Sequence, residues 1–450
     1  PYAVQVFNSL NVQDTIATFE TVTHGDFELQ SPALEAKVMA GTALDMLEEA
    51  GAYLERKYDI DLETPVRVQI FENHDDFMVR SVGLPGSSGH LGICFGQLVT
   101  MDSPRARPKG SVNWRSVLWH EFVHVVTLQK TNNRMPRWLS EGISVYEETL
   151  KNPAWGMRLD PSHQSIVEEN GLPEVAQLEL FFTQPPTPDH LMFGYFLAGE
   201  FVSHYVAAYG EAALVEPLER IAAKEDALEA LAAAAKISPK ELDAGFTEFL
   251  EERLAPYENL PAFGDAMRAG LQAAAKKDWE AAETALKEAI TLFPEYAGPD
   301  GPAAVLASVY AAQDKQEQLL DMLETQLALD TANLPAWRKL SELHRANEDW
   351  EALAGAAQGI ESLTPFDVDA ARDLYDAHKA RGETKRALAA ARRLAHLDAP
   401  RSAEYQLAQA ELLMKLNRWP DAKSTVLRLL EEKPHFWKAQ EVLLALVEKQ

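Results

Sequence analysis

The chain has 450 residues, 46% hydrophobic and 25% charged, an ordinary globular composition whose length favours two or three domains over one. A formal net charge of -27 at pH 7 argues against nucleic acid or an anionic membrane as the main partner, because both would repel it. With Cys94 as its one cysteine, the chain can form neither an intrachain disulfide nor a thiolate metal cluster, so any metal must be held by histidine and carboxylate.

In chain order, residues 1–25 read as an N-terminal helical lead-in. "DFELQS" (Asp26–Ser31) alternates apolar and polar residues and predicts a strand. An amphipathic helix follows from Ser31 to Tyr58, with Ser31 as N-cap and Pro32 at its first position. "TPVRVQIF" (Thr64–Phe71) is β-branched and predicts a second strand, "ENHDDFMVRSV" a short helix, and "GLPGSSGHLG" a loop. "GICFGQLVTMD" (Gly92–Asp102) reads as a third strand at the sheet edge, where a peptide could add by backbone pairing. A basic loop spans 103–110. Helices are then expected at 113–130 and 135–150, a proline-rich stretch with short helices at 151–188, and helices again from 190 to 254. The first part of the chain is therefore α+β.

From about Pro261 the sequence becomes Ala- and Leu-rich and it repeats. "KKDWEAAETALKEAITLFP", "NEDWEALAGAAQGIESLTP" and "LNRWPDAKSTVLRLLEEKP" share a pattern in which Trp279, Trp350 and Trp419 stand 71 and 69 residues apart. That is twice the roughly 34-residue period of tetratricopeptide (TPR) repeats. The helix-ending residues Pro294, Asp330, Pro365, Pro400 and Pro434 step by 34 to 36. About five helix-turn-helix units are expected, stacked as an all-α solenoid, because one unit cannot bury its apolar face alone. The division is 1–25, the lead-in; 26–258, the α+β domain; and 259–450, the repeats.

No apolar run approaches the roughly 20 residues of a membrane helix, so no integral membrane segment is expected. The chain begins at Pro1 without an initiator methionine, which reads as a processed or excised piece. An extracytoplasmic location, periplasmic or secreted, is the expectation.

The chemistry concentrates in "LWHEFVHVVTLQ" (Leu118–Gln129). Residues four apart on a helix differ by about 40° in direction, so His120 and His124 project from one face and can grip one ion. Glu121 is offset by about 100° and can reach a water without binding the metal itself; this is the logic of HExxH. A catalytic zinc site needs a third protein ligand and one position left for water. "WLSEGISVYEE" supplies Glu141 on the next helix, and a metal would offset the cost of burying that carboxylate.

These two segments resemble the gluzincin metallopeptidases of the MA clan. "HEFVH" is similar to their HExxH, and "WLSEGISVYEE" to the glutamate-bearing helix of aminopeptidase N-like enzymes. The fuller resemblance, over roughly residues 26–254 and the repeats, is to bacterial peptidase MA-like proteins that carry TPR repeats. It implies a zincin-like fold, one Zn2+ per chain, His120, His124 and Glu141 as ligands, and Glu121 as general base. Sixteen residues lie between His124 and Glu141, a shorter spacing than in aminopeptidase N-like enzymes. The GxMEN motif with which those exopeptidases hold a free amino terminus is missing from strand 92–102. An activity other than aminopeptidase is therefore implied.

Related gluzincins place a Tyr or His on a later helix to stabilise the developing oxyanion. Tyr195 in "FGYFLAGEF" is the candidate here, with His204, Tyr205 and Tyr209 as rivals; a core aromatic is the competing reading of Tyr195. Glu148, seven positions after Glu141, shares its face and could hydrogen-bond a ligand histidine, or else be exposed. His24, His74, His90 and His163 read as surface residues. Arg105, Arg107, Lys109 and Arg115 read as a solvated basic cluster.

The expected function is a zinc-dependent peptidase acting on a protein or peptide, with the solenoid recruiting substrate or a protein partner. The alternatives are a TPR binding scaffold whose peptidase-like domain is inert or uses zinc structurally, and a zinc hydrolase acting on something other than a peptide.

Overall fold

The computed structural model describes residues 2–86 and 89–448; Ser87 and Ser88, inside the expected loop, lie outside the described residues, as does Pro1. The lead-in is helical as α1 (Tyr2–Ala17), but its last residues form a strand, β1 (Glu20–His24), which pairs antiparallel with β2 (Phe27–Ser31). Then come α2 (Ala33–Tyr58), β3 (Val66–Phe71), α3 (His74–Val82), β4 (Gly92–Cys94) and β5 (Leu98–Asp102). The sheet order is β1-β2-β3-β5-β4, with β2, β3 and β5 parallel and β4 antiparallel at the edge.

The stretch expected as one strand at 92–102 is thus a hairpin. Gly96 sits at φ +80° in its turn, a backbone region glycine enters readily. β4 is the edge and β5 lies inside the sheet.

Alternation along the strands sorts their side chains between two faces. Val68, Ile70, Val99 and Met101 are buried in the main core with Leu47 and Leu54 of α2. Gln69 and Thr100 bond Arg80 and Ser81 of α3, at 3.0 and 2.8 Å. The motif helix α4 (Trp114–Lys130) adds Leu118, Phe122 and Val126 to the main core. Its first turn is capped by Asn113, whose Oδ1 accepts from the Arg115 and Ser116 amides at 3.1 and 3.3 Å.

α5 (Arg137–Lys151) follows, and α6 (Gln164–Asn170) and α7 (Leu178–Thr183) punctuate the proline-rich stretch. α8 (Pro188–Tyr209), α9 (Glu211–Ala222), α10 (Ala227–Ala235) and α11 (Pro239–Arg253) complete the first region. α5 and α8 approach closely at Gly142, where an added Cβ would lie 2.5 Å from the Ala198 carbonyl oxygen.

The repeats form five helix pairs: α12 (Leu260–Ala275) with α13 (Trp279–Leu292), α14 (Pro302–Ala312) with α15 (Gln316–Leu329), and α16 (Leu334–Ala346) with α17 (Trp350–Leu363). α18 (Val368–Ala380) pairs with α19 (Thr384–Leu397), α20 (Ser402–Lys415) with α21 (Trp419–Glu432), and α22 (Trp437–Glu448) follows. Lys277, Asp314, Glu348, Gly382 and Asn417 all adopt positive φ, between 53° and 71°. One left-handed residue therefore ends the first helix of every pair.

The solenoid is not a free appendage. Phe263 and Phe293 belong to the same core cluster as the first region. Later repeats reach the start of α4: Asn113 Nδ2 donates to Thr331 Oγ1 at 3.0 Å, and Trp114 Nε1 to the Glu361 carbonyl at 3.1 Å. Of the basic cluster, Arg105 and Lys109 stay well exposed, whereas Arg107 and Arg115 are drawn into the fold. Arg115 ion-pairs with buried Glu361, and Lys109 with Asp367 at 3.3 Å. Arg107 is nearly enclosed and pairs with Asp102 at 2.5 Å. No helix among the described residues is long and apolar enough to cross a membrane.

Candidate metal centre and active site

α4 and α5 lie side by side, and the hairpin between them turns through Asn132 and Asn133, both at positive φ. This brings the three expected donors together. The Nε2 atoms of His120 and His124 are 3.1 Å apart, and Glu141 Oε2 lies 3.1 Å from the first and 3.3 Å from the second. Tetrahedral zinc with bonds of about 2.0–2.1 Å would hold its donors about 3.3–3.4 Å apart. The donor types and their spacing fit such an ion, and this group could hold a metal.

The outward atoms of these side chains are also engaged. His120 Nδ1 lies 3.1 Å from Glu148 Oε2, whose other oxygen accepts from Ser116 Oγ at 3.0 Å. Glu148 is buried, not exposed. His124 Nδ1 lies 2.9 Å from Ser140 Oγ and 3.3 Å from Ser144 Oγ. With Nδ1–H donating in both rings, each Nε2 lone pair points inward. Glu141 Oε1 accepts from Arg137 Nε at 3.3 Å.

Electrostatics follow from this packing. Burial disfavours charge on His120, yet Glu148 and Glu141 hold it well above the usual imidazole value. Burial likewise opposes a charged Glu141, yet His124 and His120 keep it well below the usual carboxylate range. For Glu121 burial wins and raises the carboxyl, although His124 and His120 pull it back. Its Oε2 is buried with no hydrogen-bond partner in the protein, an orphan acceptor of the kind a water beside a metal would satisfy. Glu121 packs under β4: a Cβ at Gly92 would fall 2.5 Å from Glu121 Cγ and 2.7 Å from its Oε1.

Tyr195 comes to the site. Its ring centroid is 6.2 Å from that of His120, and its hydroxyl lies by Arg137. Burial and the nearby Glu141 raise the phenol well above its ordinary value, so it remains a donor. The rivals are occupied elsewhere: Tyr205 hydroxyl donates to the Ala213 and Leu231 carbonyls at 3.0 and 2.7 Å, His204 stacks on Phe249, and Tyr209 packs on Tyr205.

Three of the histidines expected at the surface are not simply there. His163 is buried against the Phe193 ring, and His74 Nδ1 lies 2.9 Å from Asp102 Oδ2. His90 is half-buried, near enough to Arg137 and Glu141 to feel their charge; only His24 is well exposed. Arg137, Ser140 and Ser144 went unnoticed in sequence. Arg137 and Ser144 stand four and three positions from Glu141 on one helix, the spacing at which helical neighbours meet, and Ser140 stands directly before it.

The sequence pattern of the peptidase MA superfamily matches residues 48–252. No curated protein matches the chain significantly by sequence. Among solved structures, native yeast LTA4 hydrolase is similar at 12% identity and a TM-score of 0.34, covering 84% of this chain and 66% of that one. MamA protein is similar at 18% identity and a TM-score of 0.26, covering 38% and 92%. A thermophilic TPR protein of Thermus thermophilus gives 18% identity and a TM-score of 0.20, covering 41% and 98%. Residues 48–252 thus match the peptidase MA superfamily pattern and lie in the α+β, zincin-like part of a chain that continues into an all-α solenoid of TPR-like repeats.

Proposed function

We propose that this chain is a zinc-dependent peptidase, with His120, His124 and Glu141 as the ligands of one Zn2+ and Glu121 as general base. What carries the reading is the convergence of three donor atoms from two helices within 3.1–3.3 Å of one another, beside a buried carboxylate oxygen with no protein partner. Zinc held there would supply a Lewis acid and lower the pKa of its water toward about 7.

The protein's own groups do the rest. Glu121 accepts the proton of the attacking water and later delivers it to the leaving amine. Tyr195 donates a hydrogen bond to the carbonyl oxygen as negative charge develops. The substrate backbone pairs along the outer edge of β4, which passes over Glu121. Cleavage within a chain, rather than removal of an amino-terminal residue, fits the absence of a glutamate on β4 and β5. The boundaries 1–25, 26–258 and 259–450 are part of this proposal. So are a protein partner or substrate on the repeats and a periplasmic or secreted location.

An unbiased peptide-library digest is the test. Zinc-loaded wild type should cleave internal bonds, a chelator should abolish cleavage, and Glu121→Gln should keep fold and zinc but lose hydrolysis. Absence of any cleavage by the zinc-loaded wild type would favour the binding scaffold.

A further inference from the structure

Arg137 occupies an odd position. It is the first residue of α5, where the positive end of the helix dipole disfavours a cation. It precedes Glu141 by four residues, the weaker order for a helical ion pair. Helix stability does not account for it. Its Nε donates to Glu141 Oε1 at 3.3 Å while its side chain stays 43% exposed and that of Glu141 is 9% exposed.

The two oxygens of Glu141 are therefore divided. Oε2 faces both histidine Nε2 atoms, at 3.1 and 3.3 Å, and Oε1 faces Arg137. The histidines are treated alike: Glu148 holds the Nδ1 of His120, and Ser140 and Ser144 hold that of His124. Arg137 completes a set in which every inward donor has its outward atom tied.

We propose that Arg137 is a positioning residue that occupies the outer oxygen of Glu141, so that this carboxylate offers one oxygen, not two, to a metal ion. A carboxylate free to rotate can bind through both oxygens, fill the coordination position a catalytic site must leave open, and shift the donor geometry. Arg137 also lies by the Tyr195 hydroxyl, so one guanidinium would align the ligand carboxylate with the oxyanion donor. This inference rests on the zinc-peptidase reading, and the experiment below separates the two.

The test uses the full chain as wild type, Arg137→Gln and Arg137→Lys. Zinc affinity is measured by chelator competition, coordination by the visible spectrum of the Co2+-substituted protein, and kcat and KM on a peptide cleaved by wild type. Arg137→Gln should bind zinc about 10–100-fold more weakly and give a weaker cobalt spectrum, as five-coordinate cobalt does. It should lower kcat more than it raises KM, with the melting temperature of the metal-free protein unchanged. Arg137→Lys keeps a charge and a donor and should recover part of the affinity. If wild type binds zinc and Arg137→Gln matches it in affinity and cobalt spectrum, this inference alone is overturned. If wild type binds no zinc, the metal centre falls and the inference with it. If wild type binds zinc but cleaves nothing, the peptidase reading falls, and affinity and spectrum still decide the role of Arg137.

Discussion

Arg115, on the first turn of the helix that carries His120 and His124, is ion-paired with Glu361 of the repeats, a residue only 1% exposed. Arg393, from the next repeat, reaches the other Glu361 oxygen at 3.1 Å. One carboxylate is thus the shared counter-charge of two guanidiniums where the repeats meet the first region. Glu361→Gln would leave both cations buried without a counter-charge, a defect that typically costs about 3–5 kcal/mol. Urea denaturation of the full chain should show a loss of that size; a change under about 1 kcal/mol would mean the interface is wet or easily rearranged.

Gly92 lets β4 pass directly over Glu121. An alanine there would drive its Cβ to 2.5 Å from Glu121 Cγ, so the carboxylate must move. Misplacement by about 1 Å can cost about 100-fold in rate. Gly92→Ala should therefore lose about that much kcat while its circular dichroism and zinc content stay those of wild type. Full activity in this variant would remove Glu121 from the proton-transfer role.

Tyr195 and Tyr205 sit on the same helix, and the proposed mechanism gives them different duties. Tyr195→Phe should lower kcat about 100- to 1000-fold, the range for loss of an oxyanion donor, with little effect on stability. Tyr205→Phe should leave kcat alone and cost about 1–3 kcal/mol, because the Ala213 and Leu231 carbonyls lose the hydroxyl they share. Peptide kinetics and thermal melts on both variants separate the roles; the reverse pattern would exchange them.

Lys57 of α2 braces the helix that carries Glu141. Its Nζ lies 2.9 Å from Glu147 Oε1, with side chains 7% and 0% exposed, and the Tyr58 hydroxyl donates to the same oxygen at 2.6 Å. Burial alone would lower the amine, but Glu147 holds it above the ordinary value of 10.5. A cation raised in this way contributes fully below its unfolded value and loses that contribution as pH climbs toward the folded one. Stability from this pair should hold to about pH 10.5 and decline above it. Lys57→Met should be destabilised by about 3–5 kcal/mol at pH 8 and show a flatter decline above pH 10. Parallel slopes for wild type and variant in denaturation from pH 8 to 11 would contradict this.

How much could be read beforehand depended on the range of the signal. The repeats were legible because period, alanines and terminal prolines recur along the solenoid, and the left-handed residue closing the first helix of each pair explains that regularity. That His120 and His124 face one way was legible because helix geometry fixes which residues share a face, whereas Glu141, on the next helix, was expected from the "WLSEG" segment, and its carboxylate does lie beside both imidazoles. The hairpin at 92–102 was not, since Gly96 interrupts an otherwise strand-like run and reads equally as a strand glycine. The bond of Glu148 to a ligand histidine was one of its two readings. The burial of Arg115 was hidden for another reason: its partner Glu361 is brought in by tertiary packing, which leaves no periodic trace. Arg115 and Glu361 are separated by 246 residues.

The central claim is a single metal ion shared by His120, His124 and Glu141, and elemental analysis of the purified full chain tests it most directly. Wild type and Glu121→Gln should each retain about one zinc per chain, and His124→Ala should lose it while keeping its helical content, since a three-ligand catalytic site is lost with one ligand. Wild type that takes up no metal when zinc is supplied, or His124→Ala that binds it as tightly as wild type, would contradict the account.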